Sequence, residues 1–267
     1  MFDHGTLIVL IPTQSGLVAA SDSRLSLDGA MCDGVEKFLI AEKPERLLIA
    51  VTGRRGVWPV SIFTAPDKCN FIRTNRRDFD LGESAKAYVE AAAVPIEKID
   101  LTALTRHCVD GWLTFFKSQP YRLDGTTSFS RLVLASYDPS SGITRIRIVD
   151  ISFPLVPGGK INATVPFDIM LSPDDLAAPY VLGESDYYFE KVQPHLLLSA
   201  KRDATKKQLA QPLKIMDTTL RDGIDIAIEM IEATSQMTES VPAASGIGGP
   251  IDVRVIGNSP RPTKIGR

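Results

Sequence analysis

The stretch that decides the fold runs Gly5-Thr6-Leu7-Ile8-Val9, then Gly16-Leu17-Val18-Ala19-Ala20-Ser21-Asp22-Ser23-Arg24, then Gly34-Val35-Glu36-Lys37-Phe38, and closes with Leu48-Ile49-Ala50-Val51-Thr52-Gly53. Thr6–Ile11 is apolar and rich in β-branched residues, Thr13-Gln14-Ser15-Gly16 is turn material, and Leu17–Ala20 is a second apolar run. Together they read as a hairpin. Lys37–Ala41 and Arg46–Val51 make another strand pair around Glu42-Lys43-Pro44-Glu45. Four strands in succession, with no helix between them, predict an antiparallel sheet.

Working outward, helical patterns follow. Ser84–Val94 is Ala-rich, and Leu101–Lys117 places Leu104, Cys108, Trp112 and Phe115 at three- and four-residue spacing, which makes one apolar face. Ala65–Leu81, polar and weakly periodic, reads as a surface insertion. Strands return at Ser130–Ser136 and Ile143–Ile151 around the turn Pro139-Ser140-Ser141-Gly142, with a further strand in Lys160–Leu171. Glu184–Val192, Lys206–Leu213 and Asp217–Ala233 read as helices, and Ile251–Ile256 as a last strand. This order is α+β: two packed antiparallel sheets covered by helices. The tail 258–267, which carries Pro, Lys and Arg, is expected to be disordered.

Composition narrows the functional classes. The 267 residues are 44% hydrophobic, enough for a sizeable core. With 30 basic and 32 acidic residues the formal net charge is −2, which supplies no field to attract nucleic acid or an anionic membrane. Leu7–Ile11, the longest apolar run near the start, is far short of the roughly 20 residues of a spanning helix. The start also lacks the layout of a secretory signal. Cys32, Cys69 and Cys108 are widely spaced and leave one thiol over from any disulfide, so a reducing cytoplasm is expected. The chain has no phosphate-binding glycine loop, no dinucleotide fingerprint and no G-x-S-x-G elbow. His4, His107 and His195 are far apart, so neither a metal nor a cofactor is expected.

One chemistry is present. A threonine hydroxyl is a weak nucleophile at neutral pH and needs a base beside it. A free α-amine titrates at roughly 7.7–8.0, so a threonine at a chain start carries its own base. Here that amine exists only once the Gly5–Thr6 bond is cut, and a glycine before the nucleophile lets the backbone take unusual angles during the cut. Each residue alone has a plainer reading: Thr6 as a strand residue, Asp22 and Lys37 as surface charges, Arg24 as a partner of Asp28. The conjunction is what counts: Gly5-Thr6, an aspartate sixteen residues on in an A-S-D-S-R context, and a lysine fifteen beyond that.

These blocks resemble, in order and spacing, the amino-terminal half of proteasome β subunits and of the HslV-type bacterial protease. Weaker matches continue at Leu182-Gly183-Glu184-Ser185 and from Ser245 through Gly248-Gly249 to Ile256. The resemblance implies an N-terminal-nucleophile (Ntn) hydrolase fold, an αββα sandwich over residues 6–257, with 1–5 as a propeptide. It implies a self-processing threonine peptidase that cuts a polypeptide substrate through an acyl-enzyme. Thr6 would be the nucleophile, Lys37 the active-site lysine, Asp22 its partner and Arg24 a supporting arginine. Ala50 would lend its N–H to the oxyanion. Leu25, Val35, Leu48 and Thr52 would line a largely apolar specificity pocket. It also implies a homo-oligomeric ring fed by an ATP-dependent unfoldase. The chain departs from the family pattern where Glu184 replaces a serine, with Ser185 one step on. It departs again where Ala244 and Ile247 replace an aspartate and a serine, with Ser245 as the nearest substitute. A carboxylate at Glu184 would raise the pKa of the threonine amine and oppose its action as base. A catalytically impaired scaffold and a small-molecule Ntn amidase therefore stand as alternatives.

Overall fold

The computed structural model describes residues 6–27, 30–118, 127–154, 162–183, 188–194, 196, 212–239 and 247–265. The first half holds β1 (Leu7–Thr13), β2 (Gly16–Ser21), β3 (Leu25–Leu27), β4 (Ala30–Cys32), β5 (Phe38–Ile40), β6 (Leu47–Gly53) and β7 (Gly56–Val57). Then come α1 (Lys68–Thr74), β8 (Phe79–Asp80), α2 (Leu81–Ala92) and α3 (Leu101–Ser118). The second half adds β9 (Thr127–Asp138), β10 (Ile143–Pro154), β11 (Asn162–Leu171), β12 (Leu176–Ala177), β13 (Tyr180–Gly183), β14 (Leu213–Lys214), α4 (Leu220–Glu239), β15 (Asp252–Ile256) and β16 (Thr263–Ile265).

The α+β class is as expected, with antiparallel pairing in both main sheets. One sheet has the order β13-β1-β2-β15-β16 and the other β11-β10-β9-β6-β5. The four strands read from the sequence therefore belong to two sheets: the β1–β2 hairpin sits in one and the β5–β6 pair in the other.

Alternation of side chains explains why β1 and β6 are apolar almost throughout instead of at every second residue. In β1, Ile8 and Leu10 join a core cluster with Leu48 and Ala50 of β6 and with Val133, Ala135, Ile146 and Ile148 of β9 and β10. Their neighbours Leu7, Val9 and Ile11 pack instead with Ile226, Ala227, Met230 and Ile231 of α4. On β6 the alternate set Leu47, Ile49 and Val51 packs with Leu81, Ala85 and Val89 of α2 and Leu104, Cys108 and Trp112 of α3. Both faces of each strand meet apolar partners, so a polar alternation never develops. Asp80 caps α2 by accepting from the Gly82 and Glu83 amides.

Four expectations need correcting. Residues 263–265, placed in a disordered tail, form β16 and pair with β15, because Val253 and Val255 offer a strand edge to Ile265 and Thr263. Ala65–Leu81 is structured: it holds α1 and β8, and Ile72 enters a small core with Leu25, Leu27, Trp58 and Ile62. That same core brings Cys32 and Cys69 together as a disulfide with Cα atoms 5.1 Å apart, which leaves Cys108 as the thiol over and runs against the reducing cytoplasm expected from the cysteine spacing. Tyr188–Val192, the described part of the helix expected over Glu184–Val192, is π-helical. Gly5, Glu184, Ser185, Ala244, Ser245 and the expected helix Lys206–Leu213, apart from its last two positions, lie outside the described residues. Among the described residues no helix is long and apolar enough to cross a membrane.

Candidate functional site

Thr6 stands immediately before β1 and is buried. Its carbonyl lies against Gly183 at the end of β13, where φ is +92° and an added Cβ would fall 1.8 Å from the Thr6 oxygen. Only glycine lets the two strands close this tightly at the site.

Across from Thr6, the Lys37 ammonium donates to the Thr6 hydroxyl at 3.0 Å and to the Arg24 carbonyl at 2.7 Å. Lys37 is 4% exposed, so its charge acts on the hydroxyl with little screening by water. It reaches the site because Glu36-Lys37 leads straight into β5, whose Phe38 is anchored in the inter-sheet core.

Asp22 is fully buried where the chain leaves β2. Its Oδ1 accepts from the Leu7 amide at 2.8 Å, and its Oδ2 from the Arg24 amide at 3.2 Å and the Gly248 amide at 3.3 Å. One carboxylate thus ties together the residue after Thr6, the turn after β2 and the loop before β15. Burial pushes its pKa up to about 6, against the charge of Lys37 and the three amides, which pull it down.

Arg24 supports the same turn. Its guanidinium pairs with Asp33 at 2.8 and 3.3 Å and reaches the Ile247 carbonyl at 3.5 Å. Asp33 is a site residue that the sequence reading missed; it lies nine positions from Arg24 with no pattern to mark it. Gly248 was also missed: at φ +153° it leaves room for Arg24, whose guanidinium carbon would meet an added Cβ at 2.5 Å. The Gly-Gly pair before the last strand was the available signal. Cys108, the one free cysteine among the described residues, is buried, and burial pushes its thiol up to about 12, so it offers no competing nucleophile.

The remaining expected residues scatter. Ala50 lies inside β6, opposite Phe38 on one side and Val133 on the other, with its side chain between the sheets. Leu48 points into the same inter-sheet core, whereas Leu25 packs in the small core beside Trp58. Val35 is half-buried and faces a cavity, and Thr52 is buried next to Gly183. Thr6, Asp22, Arg24 and Lys37 are therefore brought together, while of the four expected pocket residues Leu25 and Val35 share the small core beside Trp58 and Leu48 and Thr52 lie elsewhere.

No protein-family model and no curated protein matches the chain. Solved structures similar to it include Anbu, an ancestral beta-subunit, from Yersinia bercovieri, at 15% identity over 97% of this chain and 86% of that one, with a TM-score of 0.48. Another is an Anbu (Gly-1) mutant from Hyphomicrobium sp. strain MC1, at 15% identity over 98% and 87%, with a TM-score of 0.45. A third is the helical assembly of the Anbu complex from Pseudomonas aeruginosa, at 15% over 97% and 85%, with a TM-score of 0.49. These findings correct the family expectation. The similarity is to Anbu proteins, a group distinct from the proteasome β subunits and the HslV-type protease named from the sequence. At this identity and these TM-scores they assign no activity to the chain.

Proposed function

We propose that the chain is an Ntn-type amide hydrolase in which Thr6 attacks the substrate carbonyl after residues 1–5 have been removed. The observation that carries this reading is the buried 3.0 Å contact from the Lys37 ammonium to the Thr6 hydroxyl. A protonated lysine there lowers the proton affinity of the hydroxyl and of the amine exposed by cleavage. The freed amine takes the hydroxyl proton as Oγ bonds to the carbonyl carbon. The same proton passes to the leaving amine as the C–N bond breaks, and water then hydrolyses the resulting ester and restores Thr6. Asp22 is a positioning group: through the Leu7 amide it fixes where Thr6 stands. We infer an αββα layering for residues 6–257, a polypeptide as the substrate and a homo-oligomer, ring-like and served by an unfoldase, as the working form.

A second reading is a proteasome-like scaffold that keeps residues 1–5. It is supported by the departures from the family pattern at Glu184, Ala244 and Ile247, which take away groups expected to polarise the threonine amine and help processing. A small-molecule amidase shares the nucleophile chemistry and differs only in substrate. Intact mass separates the first two readings. A wild-type chain beginning at Thr6, beside a Thr6→Ala chain that keeps residues 1–5, supports the hydrolase. Retention of Gly5 in both chains refutes it in favour of the scaffold. Hydrolysis of a small amide with no cleavage of peptides would select the amidase.

A further inference from the structure

Lys37 and Thr6 belong to different sheets. Thr6 leads into β1 and Lys37 leads into β5, so their 3.0 Å contact crosses the gap between the two sheets. The residue before Lys37 is held from both sides of that gap. The Glu36 carbonyl accepts from Arg55 at 2.9 Å. Arg55 follows β6, on the Lys37 side, and is itself fixed by Asp80 at 3.0 and 3.1 Å. The Glu36 carboxylate accepts from the guanidinium of Arg254, which lies on β15 in the Thr6 sheet.

Arg254 is well placed to act as an anchor. Its Nε and Nη2 donate to the two oxygens of Asp252 at 3.0 and 3.1 Å, and the side chains are only 10% and 7% exposed. A planar guanidinium held by such a fork has its N–H groups in fixed directions, and Nη2 is also the group that meets Glu36. Asp252 stands opposite Ser21, the residue before Asp22, so the anchor sits on the strand pair that carries the buried carboxylate of the site. Lys264 of β16 lies 3.6 Å from Asp252. Glu36 and Asp252 thus meet Arg254 and Lys264 charge for charge, and the group adds little net field at Lys37. What it adds is placement.

We propose that Arg254 is a positioning residue of the Thr6 centre: by holding Glu36 against β15 it fixes where Lys37 enters the site. The proposal rests on the hydrolase reading above. Reacting groups have to be held within about 0.5 Å of a productive geometry, and a contact that spans two sheets meets that limit only with a second tie beside it.

The test reads the position of Lys37 first and processing second. Full-length chains in the Thr6→Ala background, which all keep the same start, are acetylated with an N-hydroxysuccinimide ester, and labelling of Lys37 is followed by peptide mass spectrometry. Lys37 is 4% exposed and should react slowly in the parent. Glu36→Ala should raise its labelling about fivefold; the Glu36 side chain is 59% exposed, so solvent screening limits the factor. Arg254→Lys keeps a charge beside Asp252 but loses the fork, and should give a similar rise. Glu36→Gln still offers an oxygen to Arg254 and should stay within about twofold of the parent. Leu104→Ala weakens the core elsewhere and should leave Lys37 labelling unchanged. In chains that retain Thr6, Glu36→Ala should slow removal of residues 1–5 about fivefold by intact mass, and Glu36→Gln should restore the rate. Unchanged Lys37 labelling in both Glu36→Ala and a folded Arg254→Lys overturns the proposal. So does an equal rise in Leu104→Ala, or a wild-type rate of processing in Glu36→Ala. If labelling responds as expected while the wild-type chain keeps Gly5, the hydrolase reading fails and the placement of Lys37 by Arg254 stands.

Discussion

Asp22→Asn replaces a buried carboxylate with a neutral group of the same shape, and the structure fixes what should follow with pH. The folded pKa of Asp22 is about 6 against an ordinary 3.8, with burial as the leading cause. Two units at about 1.36 kcal/mol each make a difference of about 3 kcal/mol. The sign follows from proton binding. Between these two values the folded chain holds the proton and the unfolded chain has lost it, so the group's contribution is full below about pH 4 and is lost as pH rises through about 6. The asparagine variant has no such titration. Its amide nitrogen also faces the Arg24 and Gly248 N–H groups; the Gly248 N–H loses this acceptor, while the Arg24 N–H keeps the Gly248 carbonyl at 2.9 Å. That cost is about 1–3 kcal/mol and does not vary with pH. Urea unfolding of both chains from pH 4 to pH 7 should therefore show the wild-type advantage shrinking by about 3 kcal/mol. A constant difference across that range would show that Asp22 titrates as an ordinary carboxylate, and the account of a desolvated group beneath Thr6 would fall. A carboxyl-carbon NMR titration of Asp22 provides an independent check.

Other outcomes are specific enough to be measured. Lys37→Ala should block removal of residues 1–5 and lower any hydrolysis by at least about 100-fold, the scale of a lost acid–base group; unchanged processing by intact mass would remove Lys37 from the mechanism. Gly183→Ala forces a Cβ to 1.8 Å from the Thr6 carbonyl and should cost about 3 kcal/mol or more in chemical denaturation, where a loss below about 1 kcal/mol would contradict the close approach. Leu104→Ala opens a cavity in the fully buried cluster under α3 and should cost about 2–5 kcal/mol without changing the processing pattern. Asp33→Ala removes the partner of Arg24 but sits at 43% exposure, so the stability loss should stay near or below about 1 kcal/mol while the turn holding Lys37 through the Arg24 carbonyl loosens, seen as slower processing.

The sequence made the β1–β2 hairpin, the β5–β6 pair, α2 and α3 legible because each is specified locally, by turn residues, caps and apolar spacing. It also brought Thr6, Asp22, Arg24 and Lys37 to notice together, since all lie within one continuous stretch. What stayed hidden depends on distant chain. β16 exists because a strand edge waits for it on β15, and the Cys32–Cys69 link exists because α1 packs on the hairpin of β3 and β4. Leu48 misled for a related reason. A strand with both faces buried gives no sign in its composition of which residue points to the core between the sheets and which to the helices.

The architecture at Asp22 shows why so polar a group is tolerated at the centre of the molecule. Three backbone amides from three segments, at Leu7, Arg24 and Gly248, converge on its two oxygens. The three amides offset part of the desolvation of the carboxylate, and the Arg24 amide is shared with the Gly248 carbonyl at 2.9 Å. The same convergence aligns Thr6 through Leu7, the Arg24 carbonyl that receives Lys37, and the loop that leads into β15. Stability and geometry at the site are therefore coupled. A substitution that relaxes Asp22 should move Thr6 and Lys37 apart even where the two sheets remain intact, and loss of processing in a folded Asp22→Asn chain is the expected sign of that coupling.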